Sequence, residues 1–145
     1  MFRRHKYPTK GGSKKRKPRR RAAKTPDSKA KSLQTSWRHA TNRTESLSAD
    51  EARKIVANPG ECPYCKKRIP YRELSIDHKQ PRSRGGADSK ENLVMTCRSC
   101  NLSKGNLTFD EFTALMAFLD EWPEMKESVL VRLRAGGAAF RRRRR

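Results

Sequence analysis

A chain of 145 residues with only 33% hydrophobic residues and a formal net charge of +21 is too polar to order along its whole length, and no stretch approaches the apolar length of a membrane span. The charge is concentrated: residues 1–44 hold 16 Lys/Arg against one acid, Asp27, Arg141 to Arg145 add five more, and the 96 residues between sum to +1. This distribution excludes an evenly charged scaffold and points to a small, nearly neutral module with arms for a polyanion, nucleic acid being the leading partner.

Residues 1–44 read as a disordered basic arm. Gly11-Gly12-Ser13 and the run from Lys14 to Arg21 have no apolar period, and Trp37 alone offers a local anchor. The run resembles a nuclear localisation signal, and an Arg-rich, acid-poor start also resembles an organelle transit peptide. A DNA-binding arm is the larger share of the reading.

Order is expected from Ser48, where Ser48-Ala-Asp-Glu51 forms a capping box before Ala52, Ile55 and Val56 on one helical face. Asn58-Pro59-Gly60 ends that helix, so 45–60 is a short N-terminal helical unit. A core follows over 61–108. Leu74 and Ile76 alternate with polar residues into Asp77 as a strand would, and Leu93 to Thr96 is a second apolar run leading to Cys97. The Gly- and Pro-containing segment from Pro81 to Asn92 is the loop between them. After Cys100 a few helical residues should break at Gly105. Thr108-Phe-Asp-Glu111 is a second capping box, and Phe109, Phe112, Leu115, Met116 and Leu119 follow at helical spacing. Pro123 suits a first helical turn, and Val129, Leu130 and Leu133 mark another short helix ending near Gly136-Gly137. The helices thus occupy 109–135, with a Gly/Arg tail over 136–145.

All four cysteines lie in Cys62-Pro-Tyr-Cys65 and Cys97-Arg-Ser-Cys100. Two such pairs can close a tetrahedral zinc site and join distant segments, a structural role because no ligand position stays open. Disulfides are the competing reading, but no apolar signal segment follows Met1, and the two-residue spacing suits a metal better than a bridge within each pair.

Together, Leu74-Ser-Ile-Asp-His78, Pro81-Arg-Ser-Arg-Gly-Gly86, Glu91-Asn-Leu93 and Cys97-Arg-Ser-Cys-Asn-Leu-Ser-Lys-Gly105 resemble the HNH endonuclease family, whose core is a zinc-stapled ββα-metal fold. The resemblance covers about residues 61–110 and implies a small ββα-metal core with a structural four-Cys zinc site; with the helices and charge runs read above, the expected fold is α+β, that core with flanking helices and disordered basic tails. It implies His78 as general base, Asp77 and Asn101 as protein ligands of a catalytic divalent ion, and Asn92 as the residue that holds the loop between the strands. Lys104, three residues beyond Asn101 on the same helical face, is a candidate phosphate contact, as are Arg82, Arg84 and Arg98. The last motif position is Asn101 and not His. Asp and Asn oxygens suit a hard cation, so Mg²⁺ is expected, with Mn²⁺ able to substitute.

The implied activity is metal-dependent hydrolysis of DNA, one strand at a time by a monomer, leaving 5′-phosphate and 3′-hydroxyl ends. Two other readings compete with it. One is a zinc-stabilised DNA-binding module without catalysis. The other is a nuclease working as a subunit, as small phage HNH proteins do beside packaging motors, with the helices after Thr108 as docking surface. The cytoplasm of a bacterial or phage-infected cell is the expected location, and no membrane partner is expected.

Overall fold

The computed structural model describes residues 25–143, with side chains through 136. Among the described residues, five α-helices and one two-stranded sheet follow in order: α1 (Pro26–Ala40), α2 (Ala49–Ala57), β1 (Leu74–His78), β2 (Leu93–Cys97), α3 (Arg98–Lys104), α4 (Phe109–Asp120) and α5 (Pro123–Arg143). The fold is α+β. Its centre is β1 paired antiparallel with β2, with Leu74 opposite Cys97 and His78 opposite Leu93, and α3 begins directly after Cys97. The strands are short, and a two-stranded sheet is marginal unless one face is packed. Helices α1 and α3 pack against β1 and supply that cover.

The local chemistry explains the boundaries. Ser48 accepts from the Glu51 amide while Glu51 returns a bond to the Ser48 amide, and Thr108 and Glu111 repeat the arrangement at α4. Gly105, with φ at 54°, ends α3. In the loop between the strands Gly86 is obligatory for another reason: a Cβ there would lie 1.9 Å from the Gln80 carbonyl oxygen.

The core joins segments on both sides of the first cysteine pair, Cys62 and Cys65. Ala30, Leu33, Ala52, Val56, Ile69, Leu74, Phe112 and Met116 are buried around Tyr64, whose ring meets those of Phe109 at 5.3 Å and Phe112 at 5.0 Å. Among the described residues, no helix is long and apolar enough to cross a membrane.

Two expectations are corrected. Residues 26–40 are a helix and not part of a disordered arm. Thr25 caps it by accepting from the Ser28 amide, Pro26 and Asp27 occupy its first turn, and Arg38 and His39 its last. Ala30, Leu33 and Ala40 are buried along one face, so the segment has a helical apolar stripe that its net charge obscures. The expected disorder of residues 1–24 lies outside the described residues. At the other end α5 continues to Arg143 instead of stopping at Gly136-Gly137. Gly136 lacks a left-handed φ, and a glycine in that case only weakens a helix, by about 1 kcal/mol relative to alanine.

Candidate active site and metal centre

Alternation along β1 puts neighbouring side chains on opposite faces, so Asp77 and His78 at the strand's end look in different directions. Asp77 is buried and faces the core. Its Oδ2 accepts from the Tyr64 hydroxyl at 2.7 Å, and the Lys104 ammonium lies 3.2 Å from the carboxylate. Lys104 also donates to the His78 carbonyl at 2.7 Å and is only 1% exposed. The expected phosphate contact on an open helical face is therefore a buried cation holding β1 to α3. Burial, followed by the adjacent Asp77 charge, pushes the Tyr64 phenol far above its ordinary range, so it stays a donor.

His78 is half-buried on the other face. Its Nε2 lies 3.1 Å from the Ala40 carbonyl oxygen and 3.4 Å from Asp88 Oδ1. Both groups can only accept, which requires the hydrogen on Nε2 and makes Nδ1 the lone-pair nitrogen of the neutral ring.

Asn101 projects from α3 onto β1. Its Nδ2 donates to Ser75 Oγ at 2.9 Å and the Ile76 carbonyl at 2.8 Å, which fixes the amide orientation and turns Oδ1 away from that carbonyl. Asn92 closes the loop between the strands on itself: Oδ1 accepts from the Gln80 amide, and Nδ2 donates to the carbonyls of Gln80 at 3.0 Å and Ala87 at 2.7 Å.

The three arginines fare differently. Arg82 is bound to Asp88 and to the carbonyls of His39 and Ala40, and Arg84 is paired with Glu111. Arg98 is exposed in the first turn of α3. Only Arg98 of the three presents a guanidinium without a protein ion pair, among the described residues.

Cys62, Cys65, Cys97 and Cys100 bring their sulfurs within 4.8 Å of one another, and all four are free thiols. Zn–S bonds of about 2.3 Å in a tetrahedron place sulfurs about 3.8 Å apart, and Cys65 and Cys97 already stand at 4.0 Å. The thiol donors Cys100 and Cys62 hold Cys97 well below the ordinary thiol range, while Cys100 is pushed up because Cys62 and Cys97 retain its proton. Shared protons among four clustered sulfurs are the electrostatic situation that a dication relieves. The cluster can hold zinc, and it joins the 62–65 turn to the β2–α3 junction.

Sequence reasoning missed Tyr64, Asp88 and the Ala40 carbonyl. Tyr64 sits inside the first Cys-x-x-Cys, where a position between ligands could have been asked for a role. Asp88 and Ala40 gave no signal, since each matters only through a contact that the fold creates.

Residues 62–107 match the family model described as HNH endonuclease. A 50-residue stretch, 34% of the chain, is 42% identical to the CRISPR-associated endonuclease Cas9 of Corynebacterium diphtheriae, of which it covers 5%. The chain therefore spans a small fraction of that relative's length. The segment with the two cysteine pairs, the β1–β2 hairpin and α3 is an HNH endonuclease domain.

Proposed function

We propose that this HNH endonuclease domain makes the protein a metal-dependent endonuclease acting on DNA, with His78 as general base and with Asp77 and Asn101 holding the catalytic divalent cation. The observation that carries the reading is that three motif residues share one strand: Asp77 and His78 end β1, and Asn101 is bonded to the same strand from α3.

The donor set fits a hard cation, a carboxylate and an amide oxygen with waters completing the shell, which suits Mg²⁺ and admits Mn²⁺. When bound, such an ion would supply positive charge for the phosphodiester transition state and the leaving oxygen. Lys104, held beside Asp77, keeps positive charge there and fixes the strand end through the His78 carbonyl. His78 takes a proton from the attacking water, and the Nε2 contact leaves Nδ1 for that task. Asn92 holds the loop behind the base. Hydrolysis with release of the 3′-oxygen leaves 5′-phosphate and 3′-hydroxyl ends, and one such centre per chain makes nicking by a monomer the default. Arg98 and the basic ends of the chain are the proposed phosphate contacts.

A second reading, a zinc-stabilised DNA-binding module without catalysis, draws on the buried Asp77, whose charge Tyr64 and Lys104 already satisfy. Membership of a phage packaging or other nucleoprotein complex draws on Phe118, Trp122, Met125 and Val131, exposed on α4, α5 and the turn joining them. Incubating purified protein with supercoiled plasmid separates catalysis from mere binding. Nicking in Mg²⁺ or Mn²⁺, abolished by chelator and by His78→Ala, is the expected outcome; binding without cutting under every divalent ion refutes the nuclease reading.

A further inference from the structure

The end of α1, which lies outside the matched segment 62–107, reaches the Nε2 edge of His78. A helix leaves its last four carbonyls without intrahelical partners, and at α1 all four are accounted for. The Trp37 oxygen accepts from the Thr41 amide and the Arg38 oxygen from the Arg43 amide. The His39 oxygen accepts from the Arg82 guanidinium at 2.6 Å, and the Ala40 oxygen accepts from Arg82 at 3.0 Å and from His78 Nε2. The same guanidinium binds Asp88 through Nε, and Asp88 is the second acceptor at His78 Nε2. One planar fork thus gathers both acceptors that face the ring, a task for which arginine's fixed donor geometry suits it.

We propose that Arg82 is a positioning residue of the nuclease: it clamps the α1 terminus and Asp88 onto the Nε2 edge of His78, so that Nδ1 is held as the base nitrogen. This rests on the reading of His78 as general base. It replaces the expected phosphate role of Arg82 and makes α1 part of the active site. Without the clamp, the Ala40 carbonyl and the Asp88 carboxylate have no common tether, and the ring gains freedom to rotate or to exchange tautomers.

The test uses the full chain, with Arg82→Ala, Arg82→Lys and Asp88→Asn beside wild type, nicking supercoiled plasmid in Mg²⁺. Arg82→Ala should lower kcat by about 10- to 100-fold through misaim of the base, with KM for DNA, zinc content and thermal midpoint little changed. Arg82→Lys should recover part of the rate, since an ammonium reaches one acceptor but does not bridge both. Asp88→Asn, which retains an acceptor oxygen, should lose less than Arg82→Ala. In parallel, nitrogen–proton correlation spectra of the imidazole, recorded where the ring is neutral, should show His78 protonated on Nε2 in wild type and a tautomer mixture in Arg82→Ala.

A rise in KM with kcat unchanged assigns Arg82 to phosphate and overturns the clamp. A faster variant overturns it too, by making the α1 terminus an inhibitory cover. Should wild type cut under no divalent ion, the nuclease reading fails, and the tautomer spectra still decide whether Arg82 sets the ring: a wild-type His78 protonated on Nδ1, or spectra unchanged in Arg82→Ala, overturns the proposal.

Discussion

The Tyr64 hydroxyl donates to Asp77 at 2.7 Å, and Tyr64 lies between Cys62 and Cys65. The turn whose cysteines can hold a structural metal therefore also holds the carboxylate proposed for the catalytic one. Tyr64→Phe removes that donor while keeping the ring contacts with Phe109 and Phe112. A buried carboxylate short of one donor should reduce stability by about 1–3 kcal/mol, measurable by urea unfolding of the zinc-loaded protein. Cleavage should persist with an altered Mg²⁺ requirement, because the carboxylate is held less firmly. Unchanged stability and metal dependence would reduce the contact to an incidental one.

Lys104 invites a stronger test. Its ammonium is buried against Asp77, so Lys104→Ala leaves an uncompensated buried charge, typically a loss of about 3–5 kcal/mol. A residue meeting phosphate would instead change the salt dependence of DNA binding by about 0.9 in log–log slope. The prediction is a large drop in unfolding free energy with an unaltered slope in whatever fraction remains folded. A stable variant with a reduced slope would return Lys104 to the DNA interface.

His78→Ala should stay folded and zinc-loaded while cleavage falls by about 10²-fold or more, the usual cost of losing a general base. Asn101→Ala should also lose activity, with partial recovery at high Mn²⁺. For Asp77 the informative change is to asparagine, because alanine would strand Lys104. Asp77→Asn should combine weaker metal binding, read as a higher divalent-ion requirement, with lower stability. Near-normal cutting by the His78 variant removes it from the mechanism.

How far the sequence alone reaches follows from which contacts are local. The α2 and α4 capping boxes, the Gly105 stop, the two strands and the cysteine pairs are all written within a few residues of each other, and the structure has each of them. The motif order also locates Asp77, His78, Asn92 and Asn101. What stays hidden depends on segments meeting across the fold. Lys104 looks like any helical lysine until Asp77 is packed opposite it. Arg82 is a loop cation until the carbonyls of α1, more than 40 positions earlier, arrive beside it. Helix α1 itself is obscured by the net charge of 1–44 taken as a block, although Leu33 and Ala40 share a buried face.

The cysteine cluster should govern folding more than rate. Replacing Cys62 or Cys97 with serine breaks a site that links the 62–65 turn to β2, and structural zinc contributes on the order of 10 kcal/mol in small zinc domains. Zinc near one per chain, and loss of helical circular dichroism in either mutant or on strong chelation, are the expected results. A stably folded protein lacking all four thiols would contradict the structural role.

The basic N-terminal region divides at α1, and two truncations should therefore behave differently. Residues 1–24 carry 12 Lys/Arg and no acid, and none of the proposed catalytic residues lies there. Removing them should weaken DNA binding and flatten its log–log salt slope by about 0.9 for each phosphate no longer neutralised, leaving stability and metal requirement unchanged. Removing 1–44 goes further, because Ala30 and Leu33 belong to the core and the Ala40 carbonyl meets His78. That deletion should lower the unfolding midpoint sharply and abolish cleavage even at low salt. Equal affinity and slope in the shorter truncation would assign residues 1–24 to a partner other than DNA, and a stable, active longer truncation would show that α1 is dispensable to both core and base.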